Sequence, residues 1–86
     1  MRAVQERCGV ELDGQGKPHV VRWRNRTYRV TREHDAWRAG GRWWLGEPCR
    51  DCWLLECGAL TLEVHRFDET DPPQEVSGWW VARVQD

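Results

Sequence analysis

Eighty-six residues with seven tryptophans, four cysteines and a formal net charge of −1 are enough for one small domain and too few for two. No stretch reaches the ~18 apolar residues a membrane span needs. No apolar run follows Met1-Arg2-Ala3-Val4-Gln5-Glu6 as a secretory leader would require, so we expect a cytoplasmic chain without membrane contact, with Cys8, Cys49, Cys52 and Cys57 as thiols.

In chain order, apolar residues alternate rather than recur at helical spacing, which predicts strands. Val4, Cys8, Val10 and Leu12 share one parity, with Glu6 the exception. Asp13-Gly14-Gln15-Gly16 is a turn signal. Val21 and Trp23 then face one way, with Arg22 and Arg24 opposite. Asn25 tolerates a left-handed backbone, which predicts a hairpin turn in Arg24-Asn25-Arg26-Thr27 before Tyr28 and Val30 resume the inward face. Glu33 to Trp37 is ambiguous and has room for one helical turn. Ala39-Gly40-Gly41 predicts a turn between Trp37-Arg38 and Arg42-Trp43-Trp44-Leu45. Trp53 and Leu55 alternate with Leu54 and Glu56. Gly58-Ala59 leads into Leu60, Leu62 and Val64, with Thr61, Glu63 and His65 outside. Asp68 to Ser77 is a long polar loop, and Trp79 to Gln85 the last strand. These elements predict an all-β domain spanning residues 1–86, a small antiparallel barrel or strongly curved sheet of about six strands. Pairing the last strand with the first would remove an exposed edge.

The net charge hides an asymmetry. Arg22 to Arg42 holds seven arginines against Glu33 and Asp35, while Trp43 to Asp86 holds three arginines against nine acids. Arginine interleaved with aromatics, in Arg22-Trp23-Arg24-Asn25-Arg26 and in Arg38 to Trp44, is the sharpest chemical signal. Cations that follow phosphates and rings that stack bases grip single-stranded nucleic acid. Equally, an inward Trp23 under flanking arginines is an ordinary core residue with a solvated face. In Trp43-Trp44 and Trp79-Trp80 adjacent residues point to opposite faces, so one of each pair is expected outside, as a contact surface. The candidate binding residues, for protein or nucleic acid, are Arg22, Arg24, Arg26, Arg29, Arg38, Arg42, Trp43 and Trp44.

Cys49-Arg50-Asp51-Cys52 has zinc-like C-x-x-C spacing, with Cys57 following and Cys8, His65 or His34 as further ligands. A structural zinc needs four ligands aimed at one point, and Cys52 leads straight into a strand, so plain thiols are expected and no metal or other cofactor. His19, His34 and His65 sit among polar residues and read as surface groups. With no nucleophile, base and acid constellation and no phosphate loop, the expectation is a non-catalytic domain.

Val21-Arg22-Trp23-Arg24-Asn25-Arg26-Thr27-Tyr28-Arg29-Val30, Trp37-Arg38, Gly41-Arg42-Trp43-Trp44, Glu47, Arg50-Asp51, Trp79 and Val84-Gln85-Asp86 together resemble a small bacterial domain of unknown function. That domain occurs alone or at the C-terminus of ImuB-type proteins, inactive Y-family polymerase relatives of the translesion machinery. The resemblance covers roughly residues 17–86. Asn25 stands where the family usually has glycine, and Cys52-Trp53 where it tends to have ring-bearing residues. The resemblance implies DNA damage tolerance, in company with a RecA-like accessory protein, an ImuB-like scaffold and an error-prone polymerase. It implies no catalytic residues. The expected function is therefore a protein-binding accessory module of bacterial translesion synthesis, as a monomer or weak homodimer. Single-stranded DNA binding through the Arg/Trp face, or a zinc-stabilised structural domain, are the alternatives.

Overall fold

The computed structural model describes residues 1–40, 49–68 and 78–86. Their alternating apolar residues form strands throughout: β1 (Arg2–Arg7), β2 (Gly9–Leu12), β3 (Pro18–Trp23), β4 (Arg26–Arg29), β5 (Arg32–Ala39), β6 (Arg50–Cys57), β7 (Leu60–Phe67) and β8 (Gly78–Gln85). All pairings are antiparallel. One sheet has the order β1-β8-β7-β6-β5 and the other β2-β3-β4. The last strand pairs with the first, Arg2 opposite Val84 and Arg7 opposite Trp80.

Turn chemistry sets the hairpins. The Asp13 carboxylate accepts from the amides of Gln15 (2.8 Å) and Lys17 (3.0 Å), the local bonding that makes Asp a turn former. Arg24 and Asn25 both have positive φ, 53° and 60°, between the paired residues Trp23 and Arg26. Two consecutive positive φ values match the twist of flanking strands in a two-residue hairpin.

Two neighbouring strand pairs are almost continuous in sequence yet belong to different sheets. Only Cys8 separates β1 from β2, and only Val30-Thr31 separates β4 from β5. Both junctions are tied across the sheets, by Cys8 N–H to the Trp79 carbonyl (3.2 Å) and by Thr31 N–H to the Glu56 carbonyl (2.8 Å). The described strands pair as two sheets, and a closed barrel is not found among them.

The core lies between the sheets. Val21 and Trp23 of β3 meet Leu55, Cys57, Leu62, Val64, Val81 and Val84 from β6, β7 and β8, with Val10, Tyr28, Trp53 and Trp79 at its margin. Alternation then sends Cys52, His65 and Trp80, which are cross-strand neighbours, to the other face of the larger sheet.

Several sequence expectations are corrected. Glu33 to Trp37 holds no helical turn: it lies in β5, held by pairing to β6. Leu12 does not turn inward; an irregularity in the ladder at Glu11/Leu12 breaks its parity and leaves it 44% exposed. The turn at Gly41, Arg42 to Leu45 and the loop beyond Asp68 lie outside the described residues.

Candidate functional site

The β3–β4 hairpin gathers arginines because its tight turn brings both strand ends together. Arg22, Arg24 and Arg26 line a groove of about 540 Å³ with Arg7 of β1. Trp23 supports it from within: the ring is buried and the Arg24 guanidinium lies 4.4 Å over its centroid. Glu6 locks this arrangement. Its carboxylate accepts from Trp23 Nε1 at 2.9 Å, Arg24 Nε at 2.7 Å and Arg24 Nη2 at 3.0 Å. The hydrogen bond from Arg24, more than that from Trp23, holds the Glu6 carboxyl below the usual range, and Glu6 in turn raises Arg24. Arg22 is also engaged, its Nη2 lying 3.1 Å from Glu11 Oε1. Arg26 and Arg29 form no ion pair with any described residue. Arg29, opposite Val20 on β4, does not line the groove.

Arg38 sits elsewhere, on β5. Its Nη1 donates to Asp51 Oδ1 at 2.7 Å and its Nη2 to Asp68, while Arg66 takes the second Asp51 oxygen at 2.9 Å. Burial pushes the Asp51 carboxyl up, but bonding and charge from Arg38, then Arg66, outweigh it and the net shift is downward. Arg66 also lies 5.6 Å over Trp79, whose ring stacks on Trp53 at 5.2 Å. The preceding residue of β5, Trp37, points to the opposite face and is 39% exposed. Arg42, Trp43 and Trp44 lie outside the described residues.

The structure thus brings Arg22, Arg24 and Arg26 together and leaves Arg29 and Arg38 apart from them. The basic and acidic halves of the sequence do not form separate faces throughout, because Arg38 pairs with Asp51 and Asp68 across the divide. Neither residue of Trp79-Trp80 stands open: Trp79 packs at the core margin, and Trp80 lies on the other face beneath Arg7, 4.7 Å away. Sequence reasoning missed three participants. Trp37 was visible only as the neighbour of Arg38, and Arg7 as one charge in a polar start. Glu6 was flagged as the break in an apolar parity, which is the signal that could have found it.

His65 is buried, not a surface group. It occupies the row Trp37, Cys52, His65, Trp80, Arg7 across the larger sheet, with Nε2 at 2.7 Å from Glu63 and its ring edge-on to Phe67. Burial lowers its pKa, partly opposed by the bond to Glu63. Cys52 stands opposite His65, the outline of a thiol–imidazole–carboxylate array. However, Cys52 is only 1% exposed and burial raises its pKa despite Arg50, whereas a nucleophile needs a thiolate and access. Burial likewise pushes Cys8 and Cys57 up to about 11. Cys52 and Cys57, five residues apart on one strand, point to opposite faces, so they do not converge on one ion. Among the described residues no three His, Cys, Asp or Glu side chains group to hold a metal. The other face also holds Arg50 Nε and Trp80 Nε1, both buried without an acceptor among the described residues.

No helix of the described residues is long and apolar enough to cross a membrane. Compared with family models, curated proteins and solved structures, the chain matches none.

Proposed function

We propose that this domain is a non-catalytic protein-interaction module. The observation that carries the reading is the state of its arginines. Arg22, Arg24 and Arg38 already hold carboxylates of the same chain at 2.7–3.1 Å. The hairpin around Arg22 and Arg24 and the separate cluster around Arg38 are each mixed in charge and specific in hydrogen bonding, which suits a protein partner better than a run of phosphates. Trp37, exposed on β5 on the face opposite to Arg38, is an aromatic side chain of the kind such interfaces favour. The resemblance over residues 17–86 adds the setting: an accessory of bacterial DNA damage tolerance that meets an ImuB-type scaffold or the error-prone polymerase assembly.

The second reading, single-stranded DNA binding, is favoured by one observation, the shared groove of Arg22, Arg24 and Arg26. Intrinsic tryptophan fluorescence separates the two. The domain is titrated with an unlabelled oligonucleotide and with purified ImuB-type scaffold, at low and physiological salt. Saturable scaffold binding that survives physiological salt is expected. Oligonucleotide binding that falls steeply with salt, without scaffold binding, refutes the proposal.

We also propose that the two sheets act as one small, strongly curved barrel, with β1–β2 and β4–β5 each bending from sheet to sheet. The cross-sheet bonds of the Cys8 and Thr31 amides support this. Hydrogen exchange at those amides as slow as at the β6–β7 ladder is expected; fast exchange there refutes it.

A further inference from the structure

Strand β5 ends the larger sheet. In the order β1-β8-β7-β6-β5 it pairs with β6 and with no other described strand, and every residue from Arg32 to Arg38 is exposed. The neighbouring ladders fix which of its backbone groups are free. The Asp68 amide donates to the Cys49 carbonyl at 2.9 Å, in register with a ladder that runs from Arg50 opposite Phe67 to Cys57 opposite Leu60. Odd-numbered residues of β6 therefore bond towards β7, because the N–H and C=O groups of successive residues point to opposite sides of a strand. The even-numbered Arg50, Cys52 and Leu54 bond towards β5, where they face Ala39, Trp37 and Asp35. That leaves Ala36 and Arg38 with N–H and C=O directed away from the sheet.

The Ala36 amide shows this orientation. It donates to Asp35 Oδ1 at 2.8 Å, a local substitute for the carbonyl that a further strand would supply. Between the two outward-bonding residues stands Trp37, 39% exposed. An edge with outward amides and an exposed ring at its centre selects an extended backbone as its occupant.

A second copy of β5 meets these demands. An antiparallel partner must set outward-bonding residues opposite each other, so residues pair only with residues of like parity. Centring on Asp35 opposes two carboxylates, and Arg32 to Arg38; centring on Arg38 opposes two arginines. Centring on Ala36 sets His34 against Arg38. Centring on Trp37 sets Ala36 against Arg38 on both sides of the axis, each pair exchanging both its backbone bonds, and Asp35 against Ala39, with no like charges opposed. The two indoles then form a non-hydrogen-bonded cross-strand pair, the closer kind, and aromatic pairs stabilise such positions.

We propose that the domain forms a symmetric dimer in which β5 pairs antiparallel with β5 of a second copy, centred on Trp37. The pairing joins the two larger sheets, covers both Trp37 rings and displaces Asp35 from the Ala36 amide. Asp35 is therefore a brake on the dimer. This inference goes beyond the interaction-module reading and does not depend on it.

Sedimentation equilibrium of the 86-residue protein over a concentration series reads the dimer, which is expected to rise with concentration. Trp37→Ala weakens it about thirtyfold, the scale of a tryptophan at the centre of an interface. Ala36→Pro removes an outward amide and none bonded to β6, a place where edge strands tolerate proline, and abolishes the dimer. Asp35→Ala frees that amide and tightens it. Leu12→Ala removes a side chain of comparable exposure, 44%, from the smaller sheet and leaves the dimer unchanged. Cross-linking reads the register. Trp37→Cys links to its own copy under mild oxidation, because the paired Cα atoms lie about 4.5 Å apart. Asp35→Cys does not link to its own copy, being about 14 Å from it along the strands. A chain that stays monomeric throughout the series overturns the proposal, as does a dimer that Trp37→Ala and Ala36→Pro leave intact. A link at Asp35→Cys with none at Trp37→Cys also overturns it. Failure of the wider reading looks different. A dimer with these responses but no scaffold binding removes the ImuB-type scaffold and supports the β5 pairing, whereas scaffold bound by a chain that stays monomeric does the reverse.

Discussion

Replacing Leu55 with alanine tests the arrangement of the two sheets most directly, when compared with the same change at its neighbour Leu54. Leu55 is fully buried between the sheets, whereas Leu54 is half-buried and points to the opposite face by strand alternation. Leu55→Ala removes three buried carbons, about 2.4 kcal/mol of transfer free energy at ~0.8 kcal/mol each. The residual cavity adds to this, which brings the expected cost to about 3–4 kcal/mol. A domain of this length has a total stability of about 4–13 kcal/mol, so the variant loses between about a quarter and nearly all of it. Leu54→Ala is expected to cost about 1 kcal/mol, because its side chain is only partly removed from water. Urea unfolding followed by tryptophan fluorescence measures both, and thermal scans should show Leu55→Ala melting roughly 12–30 °C lower at about 4–8 °C per kcal/mol. Equal costs, or a cost at Leu54 exceeding that at Leu55, would refute the placement of the core between the sheets.

Three further predictions follow from local chemistry. Asn25→Gly is expected to stabilise the hairpin by about 0.5 kcal/mol, since glycine meets no Cβ penalty at positive φ; a lower melting temperature contradicts the left-handed turn. Stability is expected to fall with acid in two stages. Folded His65 resists the proton that the unfolded imidazole accepts below its ordinary 6.5, and Glu6, Asp13 and Asp51, all lowered by their partners, then lose their bonds below about pH 4. His65→Gln should flatten the limb between about pH 5 and 6.5, and an unchanged limb would exclude His65 as its source. In native alkylation Cys49 should react first, because Cys52 is buried and Cys8 and Cys57, at about 11, are thiolate to roughly one part in ten thousand at neutral pH; equal labelling of all four by mass mapping contradicts their burial.

Much of the fold was legible because period-two alternation and turn chemistry are local. Val21 with Trp23, and Leu60 with Leu62 and Val64, announce an inward face, and Asp13-Gly14-Gln15-Gly16 and Arg24-Asn25 announce turns. The losses occurred where tertiary pairing overrides local pattern. Glu33 to Trp37 has no apolar period because every residue in it is exposed; its strand exists through its ladder with β6. Leu12 fell out of parity because the ladder slips at Glu11/Leu12, and one ladder slip reverses the side to which a residue points. Glu6 breaks the apolar pattern in type and not in side: it stands opposite buried Val81 and accepts from Trp23 Nε1. His65 read as a surface group because alternation identifies the core-facing set and says nothing about how closely the other face is packed.

The candidate site was legible in kind but not in state. Sequence shows that arginines flank Trp23; it does not show that Glu6, seventeen residues earlier, holds both the indole and Arg24. That bond changes what the cluster can do. A guanidinium with a bidentate carboxylate has its directed donors occupied, so a ligand must displace Glu6 or settle for the donors that remain. Displacing Glu6 would also strip the buried Trp23 N–H of its acceptor, and an unpaired buried donor is costly. The cheaper route for any anion therefore avoids Arg24 and leads to Arg26, and the same carboxylate that stabilises the hairpin narrows its recognition from many charges to few.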